Sequence, residues 1–260
     1  MKFDTTKYIN SVDNDEIKLV CSLSKAKYRT RHRLFTAEGL RAINTLLSSP
    51  VSVNTIYYTK NANQGLLVGA HCQLVQVNEQ VMSKMSNNTT PPGLLAVCAI
   101  PNNKPVRNLS CNKYGLVLTR ISDPGNMGTI IRTAAAMAIS SIIVVEGVDP
   151  WHPKVVQASA GTIGMVDISC CNWQEVYNEL KDCLCALVVR NGKPFEEIDI
   201  SSKCFLVIGS EAHGIPNDWL KDCAWRATLA MPGKTESLNA SVAASIALYQ
   251  LYIRSLRPEK

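Results

Sequence analysis

Apolar residues in the second half of the chain form short continuous runs, separated by longer segments of mixed polarity. The strand-like runs are GLVLTRI (115–121), SIIVVEG (141–147), CALVVR (185–190) and CFLVIG (204–209). Strands that are apolar on both faces and alternate with helical segments are typical of a parallel sheet covered by helices. The pattern predicts an α/β domain with a parallel sheet, followed by a long last helix within SLNASVAASIALYQLYIRSL (237–256).

The first hundred residues show a shorter pattern. A helical periodicity covers residues 38–47, and β-rich segments follow at 53–59, 72–77 and 93–100. The segment PNNKPVRN, with two prolines and three asparagines, then interrupts the apolar pattern. We therefore predict a small α/β domain over residues 1–100, a linker over 101–108 and a second domain over 109–260.

Composition narrows the classes of protein. The 260 residues are 46% apolar and 18% charged, and they contain no apolar run of membrane-spanning length. We therefore expect no membrane segment. The ten cysteines form no CxxC pair, so we expect no metal site, and we expect a reducing, cytoplasmic location. The adjacent Cys170 and Cys171 are either a reactive pair or a strand edge with one buried thiol.

Positive charge is concentrated at one end of the chain. The net charge is +6, and residues 1–100 carry 11 Lys and Arg against 6 Asp and Glu. Much of the excess lies in residues 25–33, where Tyr28 and His32 alternate with basic residues. Such a run is typical either of a solvated helix end or of a surface that binds phosphates and stacks bases.

A first polar cluster, RISDPGNMGTIIRTAAA (120–136), follows an apolar strand and opens a helix. Asp123, Pro124 and Gly125 form a turn, and the free amides of a helix start attract anions. Arg132 lies one to two turns into the helix. The cluster predicts either a ligand site or simply a well-capped helix with a surface arginine.

A second cluster, LVIGSEAHGIP (206–216), runs from a strand into a loop bracketed by Gly209 and Gly214. These glycines permit backbone conformations or close approaches that a β-carbon would prevent. Glu211 and His213 are candidates for acid–base chemistry, although a loop histidine is often merely exposed.

A third cluster, AMPGKTESLNASVA (230–243), leads into the last helix. Ser237 is a candidate N-cap of that helix, which would give it a purely structural role. Capping by Ser237 does not account for Asn239. Neither a GxGxxG nor a GxxxxGK[ST] phosphate loop occurs, so an ordinary Rossmann or P-loop nucleotide site is not expected.

The three clusters, taken in order, resemble the three motifs of the SpoU (TrmH-like) methyltransferases of the SPOUT superfamily. They read N-x-G-x(3)-R, then G-x-E-x-x-G after a strand, then M-P-G-x-x-E-S-L-N-x-S-x-A before the last helix. The resemblance covers about residues 107–257. The N-terminal block, with FTAEG (35–39) and PGLLAV (92–97), is similar to the family's ribosomal-protein-like substrate-binding domain.

The resemblance implies a sheet whose C-terminal part forms a trefoil knot, a homodimer, and S-adenosylmethionine as the methyl donor. The implied donor contacts are backbone groups around Gly209, Leu229, Met231 and Leu238. The implied reaction-site residues are Asn126, Arg132, Glu211, Ser237 and Asn239. The expected RNA-binding residues are Lys27, Arg29, Arg31 and Arg33. The turn LAMPG (229–233) departs from the IPMAG of some relatives, which leaves the backbone path around Ala230 open.

The implied activity is methylation of a ribose 2'-hydroxyl in RNA. The family assigns deprotonation of that hydroxyl to the arginine of the first motif. Because a guanidinium has a pKa above about 12, stabilisation of the developing alkoxide and phosphate clamping are alternatives to base action. Ribosomal RNA is the expected substrate, since tRNA-modifying relatives typically lack such an N-terminal domain. The alternatives are a tRNA ribose methyltransferase, a non-catalytic RNA-binding protein on the same fold, and a methyltransferase for proteins or small molecules.

Overall fold

The structure, a computed structural model, describes residues 7–62, 72–109, 112–198, 203–233 and 236–255. The chain divides into two compact units. Unit 1 comprises Met1–Asn102 and Asp149–Met165, and unit 2 comprises Asn103–Val148 and Val166–Lys260. Residues 149–165 therefore belong to the N-terminal unit although unit 2 sequence flanks them on both sides.

The described residues form twelve strands and ten α-helices, numbered in chain order. The strands are β1 (Tyr8–Ile9), β2 (Leu34–Glu38), β3 (Val53–Tyr58), β4 (Gln73–Val77), β5 (Leu94–Ala99), β6 (Tyr114–Thr119), β7 (Ser141–Val145), β8 (Asp167–Cys170), β9 (Leu184–Leu187), β10 (Lys193–Pro194), β11 (Cys204–Ile208) and β12 (Trp225–Thr228). The helices are α1 (Asp15–Ser22), α2 (Ala26–His32), α3 (Leu40–Leu47), α4 (Glu79–Met85), α5 (Val106–Leu109), α6 (Pro124–Ala136), α7 (Pro153–Ala158), α8 (Trp173–Leu180), α9 (Asn217–Lys221) and α10 (Ala240–Ser255). Short 3-10 turns cover Thr162–Met165, Lys181–Cys183 and Phe195–Glu197.

Unit 1 is built on a mixed five-stranded sheet in the order β1-β4-β3-β5-β2. The central strand β3 runs parallel to β4 and antiparallel to β5, which also pairs antiparallel with β2. The strands predicted at 53–59, 72–77 and 93–100 are present with slightly shorter bounds, whereas β2 was not predicted as a strand. Its buried Phe35 packs against Trp151, with ring centroids 4.9 Å apart, which helps to fix residues 149–165 to this unit.

Arg29 is a structural residue of unit 1, which corrects its assignment to an RNA-binding surface. Its side chain is only 2% exposed. Asp149 accepts hydrogen bonds from its Nε (2.9 Å) and its Nη2 (2.6 Å). Nη1 donates to the backbone carbonyls of Leu23 and Ser24. A guanidinium whose three nitrogens are bonded inside the unit is not presented to a phosphate. The basic run of the sequence gave no sign of this, because the partner is 120 residues away.

Unit 2 contains seven strands in the order β10-β12-β9-β11-β6-β7-β8, and every pairing between them is parallel. The predicted parallel α/β fold is thereby confirmed. Strands β6, β7 and β11 are buried at almost every position, as expected of strands with helices on both faces. The strands β8, β10 and β12 lie outside the four predicted apolar runs, because only some of their two to four residues are buried.

Packing between the central strands requires a glycine at one position. Gly115 of β6 lies opposite Phe205 of β11, and a β-carbon on Gly115 would come within 2.2 Å of the Phe205 ring. Val106 and Leu109 of α5, at the end of the predicted linker, are buried in the core of the same unit. The strand order is compatible with the predicted trefoil knot, which stays a prediction.

Within the part of the chain that the structure describes, no helix is long and apolar enough to span a membrane. The same residues contain no group of three or more metal-ligating side chains.

We expect Arg29→Ala to lower the free energy of unfolding by about 3 kcal/mol, because it leaves Asp149 and two carbonyls without their partner. The neighbouring Arg31→Ala is the control, since Arg31 is exposed and its removal should change stability by less than about 0.5 kcal/mol. Urea denaturation of both variants measures the difference. Equal stability of the two variants would contradict the structural role of Arg29.

Candidate active site and basic surface

The carboxyl ends of the parallel strands form one edge of the unit 2 sheet, and a pocket opens there. It has a volume of about 540 Å³ and lies beyond the ends of the adjacent strands β12, β9 and β11. That volume falls in the range of cofactor sites, and ligands of open parallel sheets bind at this edge.

The pocket wall combines apolar side chains with free ends of backbone. Leu187, Ile208 and Leu229 lie at or just beyond the ends of the three strands, and Met231 and Leu238 continue the wall. Strand ends offer amides and carbonyls that the sheet does not use. The pocket is therefore suited to a ligand with a flat or apolar part and several polar groups.

The loop after β11 is closed tightly on itself. Ser210 and Gly214 exchange backbone hydrogen bonds of 3.2 and 2.9 Å, and Gly214 has a φ of +64°. A β-carbon on Gly209 would lie 2.3 Å from the carbonyl carbon of Gly214. The glycine pair in the sequence is thus explained by the approach of one backbone segment to another. His213 is exposed at the rim of the pocket.

Two of the sequence motifs meet through one hydrogen bond. The side chain of Asp123 caps α6 by accepting from the amide of Asn126 at 2.7 Å, which fixes the start of the helix. The amide nitrogen of the Asn126 side chain donates to Oε1 of Glu211. Because Glu211 also lines the pocket, Asn126 is held at the pocket's edge.

Arg132 lies on the exposed side of α6, whose opposite side buries Ile130, Ile131 and Ala134. It is not part of the pocket wall. Among the described residues, no hydrogen bond or ion pair occupies its guanidinium. The structure therefore keeps Arg132 available but does not bring it together with Glu211 and Ser237 within one chain.

The third motif is divided between the pocket and the last helix. Ser237 is exposed and lines the pocket, and it is not the N-cap of α10, because the helix begins three residues later, at Ala240. Asn239 caps the helix instead, because its Oδ1 accepts from the amide of Ser241 at 2.9 Å and from its hydroxyl at 2.6 Å. Lys234 and Thr235 lie outside the described residues. Asn239 thus has the structural role for which Ser237 was only one candidate from the sequence.

The sequence reading of the pocket missed one wall. Residues Leu187, Val188, Val189 and Arg190 follow β9 and line the pocket together with the predicted Gly209, Leu229, Met231 and Leu238. The sequence does contain a signal for the end of this strand, because Asn191 and Gly192 follow the run CALVVR and are typical of a turn. Strand order decides whether such an end faces a ligand, and strand order is not visible in the run itself.

Of the two adjacent cysteines, Cys171 is a poor nucleophile because its thiol is partly buried. Cys170 ends β8, and the half-buried Cys171 has its thiol pKa raised to about 12, first by burial and then by the charge of Glu175. A thiol with so high a pKa is protonated at neutral pH. No disulfide links any of the nine cysteines that the structure describes.

Unit 1 carries the basic run on and around α2. Five exposed side chains, which we call the basic surface, are Lys25, Lys27, Arg31, His32 and Arg33. The Tyr28 ring stacks with His32 and lies 4.9 Å below the Lys27 ammonium. The guanidinium of Arg33 is exposed but donates to the carbonyl of Pro101 at 2.6 Å. Four basic residues were predicted to bind RNA: Lys27, Arg29, Arg31 and Arg33. Of these, Lys27 and Arg31 are exposed and form no hydrogen bond to a described residue.

These features define an α/β protein with a cofactor-sized pocket at the carboxyl edge of a parallel sheet. The family model for the SpoU rRNA Methylase family matches residues 113–249, and that for the MRM3-like substrate binding domain matches residues 14–96. The chain belongs to the SpoU rRNA methylase family.

Individual relatives cover nearly the whole chain. The chain is 29% identical over 251 residues to the 23S rRNA (guanosine(2553)-2'-O)-methyltransferase RlmP of Bacillus subtilis, covering 94% of this chain and 99% of that protein. It is 26% identical to the 23S rRNA (uridine(2479)-2'-O)-methyltransferase of Streptomyces viridochromogenes, with 88% and 85% covered. The AdoMet-bound rRNA methyltransferase of Sinorhizobium meliloti matches with a TM-score of 0.84 at 27% identity, covering 97% and 99% of the two chains.

The capping role of Asn239 generates a stability prediction. We expect Asn239→Ala to lower the free energy of unfolding by about 1 kcal/mol, because the start of α10 loses its side-chain acceptor. Ser237→Ala should leave stability unchanged, since Ser237 is exposed and precedes the cap. Denaturant titration of both variants tests this, and a larger loss for the serine variant would reverse the assignment.

Proposed function

We propose that this protein transfers the methyl group of S-adenosylmethionine to a ribose 2'-hydroxyl in RNA, with ribosomal RNA as the substrate. The observation that carries the proposal is the meeting of a cofactor-sized pocket with the Asn126–Glu211 pair at one edge of the sheet. Membership of the SpoU family and the AdoMet bound to the Sinorhizobium meliloti relative support the same chemistry. The rRNA substrates named for the two bacterial relatives support the choice of RNA.

The pocket fits the methyl donor in size and chemistry. Its apolar walls, Leu187, Leu229 and Leu238, suit an adenine ring, and the strand ends supply backbone partners for the polar groups. When bound, the donor supplies an electrophilic methyl group with a neutral leaving group, so the protein's task is alignment and removal of one proton. We assign donor contacts to Gly209, Leu229, Met231 and Leu238.

The reaction-site assignments follow from charge and position. Asn126 and Glu211 orient the ribose from the pocket's edge, and Ser237 contacts the substrate or donor from the opposite wall. Arg132 is exposed, and its guanidinium bonds to no described residue. We assign it to stabilisation of the transition state. A guanidinium is a permanent cation, so its role is to stabilise the developing alkoxide or to clamp a phosphate while the 2'-hydroxyl loses its proton to solvent water. Asn239 acts by holding the start of α10, which places Ser237 and Leu238.

The basic surface is assigned to binding of the RNA backbone. Its cations and the Tyr28–His32 stack combine phosphate attraction with a ring that can pack on a base. The match of residues 14–96 to a substrate-binding domain supports this assignment. Arg29 is excluded from it for the reason given above.

We further propose that the protein works as a homodimer in the cytoplasm. Helix α10 leaves Val242, Ile246 and Tyr249 exposed at helical spacing, which is an apolar stripe suited to a second copy of the chain. The absence of disulfides among the described cysteines is consistent with a reducing compartment.

Arg132 variants test the proposed reaction. Arg132→Ala should reduce methyl transfer to RNA by at least about a hundredfold, while donor affinity stays within a few fold because Arg132 is outside the pocket wall. Arg132→Lys keeps the charge but loses the planar fork, and recovery of activity would favour electrostatic stabilisation. Transfer of labelled methyl groups and calorimetry with S-adenosylmethionine measure the two quantities. Wild-type turnover of Arg132→Ala on saturating RNA would remove Arg132 from the reaction.

The basic surface generates a separate salt-dependence prediction. Replacing Lys27 and Arg31 together by alanine should weaken RNA binding and reduce the slope of log K against log salt, by roughly 0.7 for each lost phosphate contact on a single strand. The control is Lys221→Ala, an exposed lysine of unit 2 paired with Asp218. Filter binding over a salt series measures both slopes. An unchanged slope in the double variant would place the RNA surface elsewhere.

A further inference from the structure

Three planar side chains form a stack at the surface of unit 2 that the proposed reaction does not use. The indole rings of Trp173 and Trp219 are parallel within 8°, with centroids 4.8 Å apart. The guanidinium of Arg120 lies over the Trp219 ring at 5.0 Å from its centroid. We call these three residues the Arg120 stack.

The stack is anchored at its inner end and open at its outer end. Trp173 is buried in the core, and its indole nitrogen donates to Asp222 at 2.7 Å. Trp219 is partly buried, whereas the Arg120 side chain is 51% exposed. The Arg120 guanidinium therefore lies against the indole on one side, and about half of its side chain remains accessible.

The guanidinium forms one ion pair with a neighbouring carboxylate. Nε of Arg120 donates to Glu146 at 2.7 Å, and no hydrogen bond to Nη1 or Nη2 occurs among the described residues. Arg120 and Glu146 both adopt left-handed backbone conformations, with φ of 55° and 53°, at the ends of the adjacent strands β6 and β7. Two such conformations on non-glycine residues cost free energy, and they place both side chains at the strand ends.

The position of the stack follows from the strand order. The pocket lies at the ends of β12, β9 and β11, and Asn126 of α6 meets Glu211 where the neighbouring strands β11 and β6 end. Arg120 and Glu146 follow β6 and β7, and Trp173 follows β8. Along this edge of the sheet, the pocket therefore comes first, the Asn126–Glu211 pair lies next to it, and the Arg120 stack follows.

We propose that Arg120 is a substrate-binding residue, whose exposed guanidinium face stacks on a nucleobase of the RNA next to the ribose that is methylated. This inference rests on the proposed function for the identity of the substrate. Guanidinium planes stack on bases as aromatic rings do, and a base adjacent to the target would lie one step further along the same edge.

Stacking is favoured over a phosphate contact by the charge balance. The carboxylate of Glu146 offsets the charge of Arg120 and would repel a phosphate, but it leaves the planar face intact. A base offers a π-face and no net charge, so it is the nucleotide group that this arrangement accepts. The stack thus adds a contact that depends on the presence of a base and little on ionic strength.

The test compares two single-stranded probes that carry the same phosphates. One is a short oligoadenylate, and the other is an abasic oligomer of equal length with the same sugar-phosphate backbone. Affinity of the full-length protein for each probe is measured for the wild type, for Arg120→Lys and for Arg226→Lys. Arg226 is the matched control, because it is an exposed arginine of the same unit that donates to the carbonyl of Leu220 and is not stacked.

We expect Arg120→Lys to weaken oligoadenylate binding by about fivefold or more, since lysine keeps the charge but loses the plane. Its affinity for the abasic oligomer should match that of the wild type, and Arg226→Lys should change neither. An equal loss on both probes would identify a phosphate contact and overturn the proposal. No loss on either would show that the stack serves only the fold, and thermal unfolding of each variant checks that the fold is kept.

Methyl transfer keeps this inference separate from the proposed function. If wild-type protein methylates RNA but Arg120→Lys binds both probes normally, the stacking proposal fails and the function stands. If the wild type transfers no methyl group, the function fails, while the difference between the two probes still decides whether Arg120 stacks on a base.

Discussion

Parallel pairing of all seven strands in unit 2 is the constraint on which the site depends. Strands that run in the same direction end at the same edge, so every segment that leaves a strand there begins next to its neighbours' continuations. The order β12-β9-β11-β6 brings together chain segments that are far apart in the sequence, including Leu187, Gly209 and Leu229. A change of strand order would separate the pocket walls without altering any motif.

Within that edge, local devices fix individual side chains. Asp123 caps α6 and so sets the position of Asn126, which then binds Glu211 on the neighbouring loop. The close approach of Gly209 to Gly214 shapes that loop. Because these contacts form within the protein itself, Asn126 and Glu211 are held in place before any ligand binds, which lowers the cost of alignment.

Unit 1 shows how the same residue type serves two purposes within one short run. Arg29 is buried against Asp149, whereas Lys27 and Arg31 are exposed on the same helix. A helix turns by about 100° per residue, so residues two apart lie on different faces and meet different surroundings. The basic surface is therefore smaller than the basic run of residues 25–33. Arg29, which belongs to the run but not to the surface, joins residues 149–165 to the unit through Asp149.

The sequence by itself determined the parallel α/β fold, the last helix and the three motifs, because buried strands and glycine turns leave periodic and local signals. It also indicated the residues around Gly209 and Leu238 that line the pocket. Only the tertiary structure decided that Arg29 is buried, that Asn239 rather than Ser237 caps α10, and that Arg120 stacks on Trp219. Those outcomes depend on partners 120 and 99 residues away, or on which of two nearby polar groups reaches a free amide. Contacts between distant segments are set by strand order and packing, which no local pattern contains.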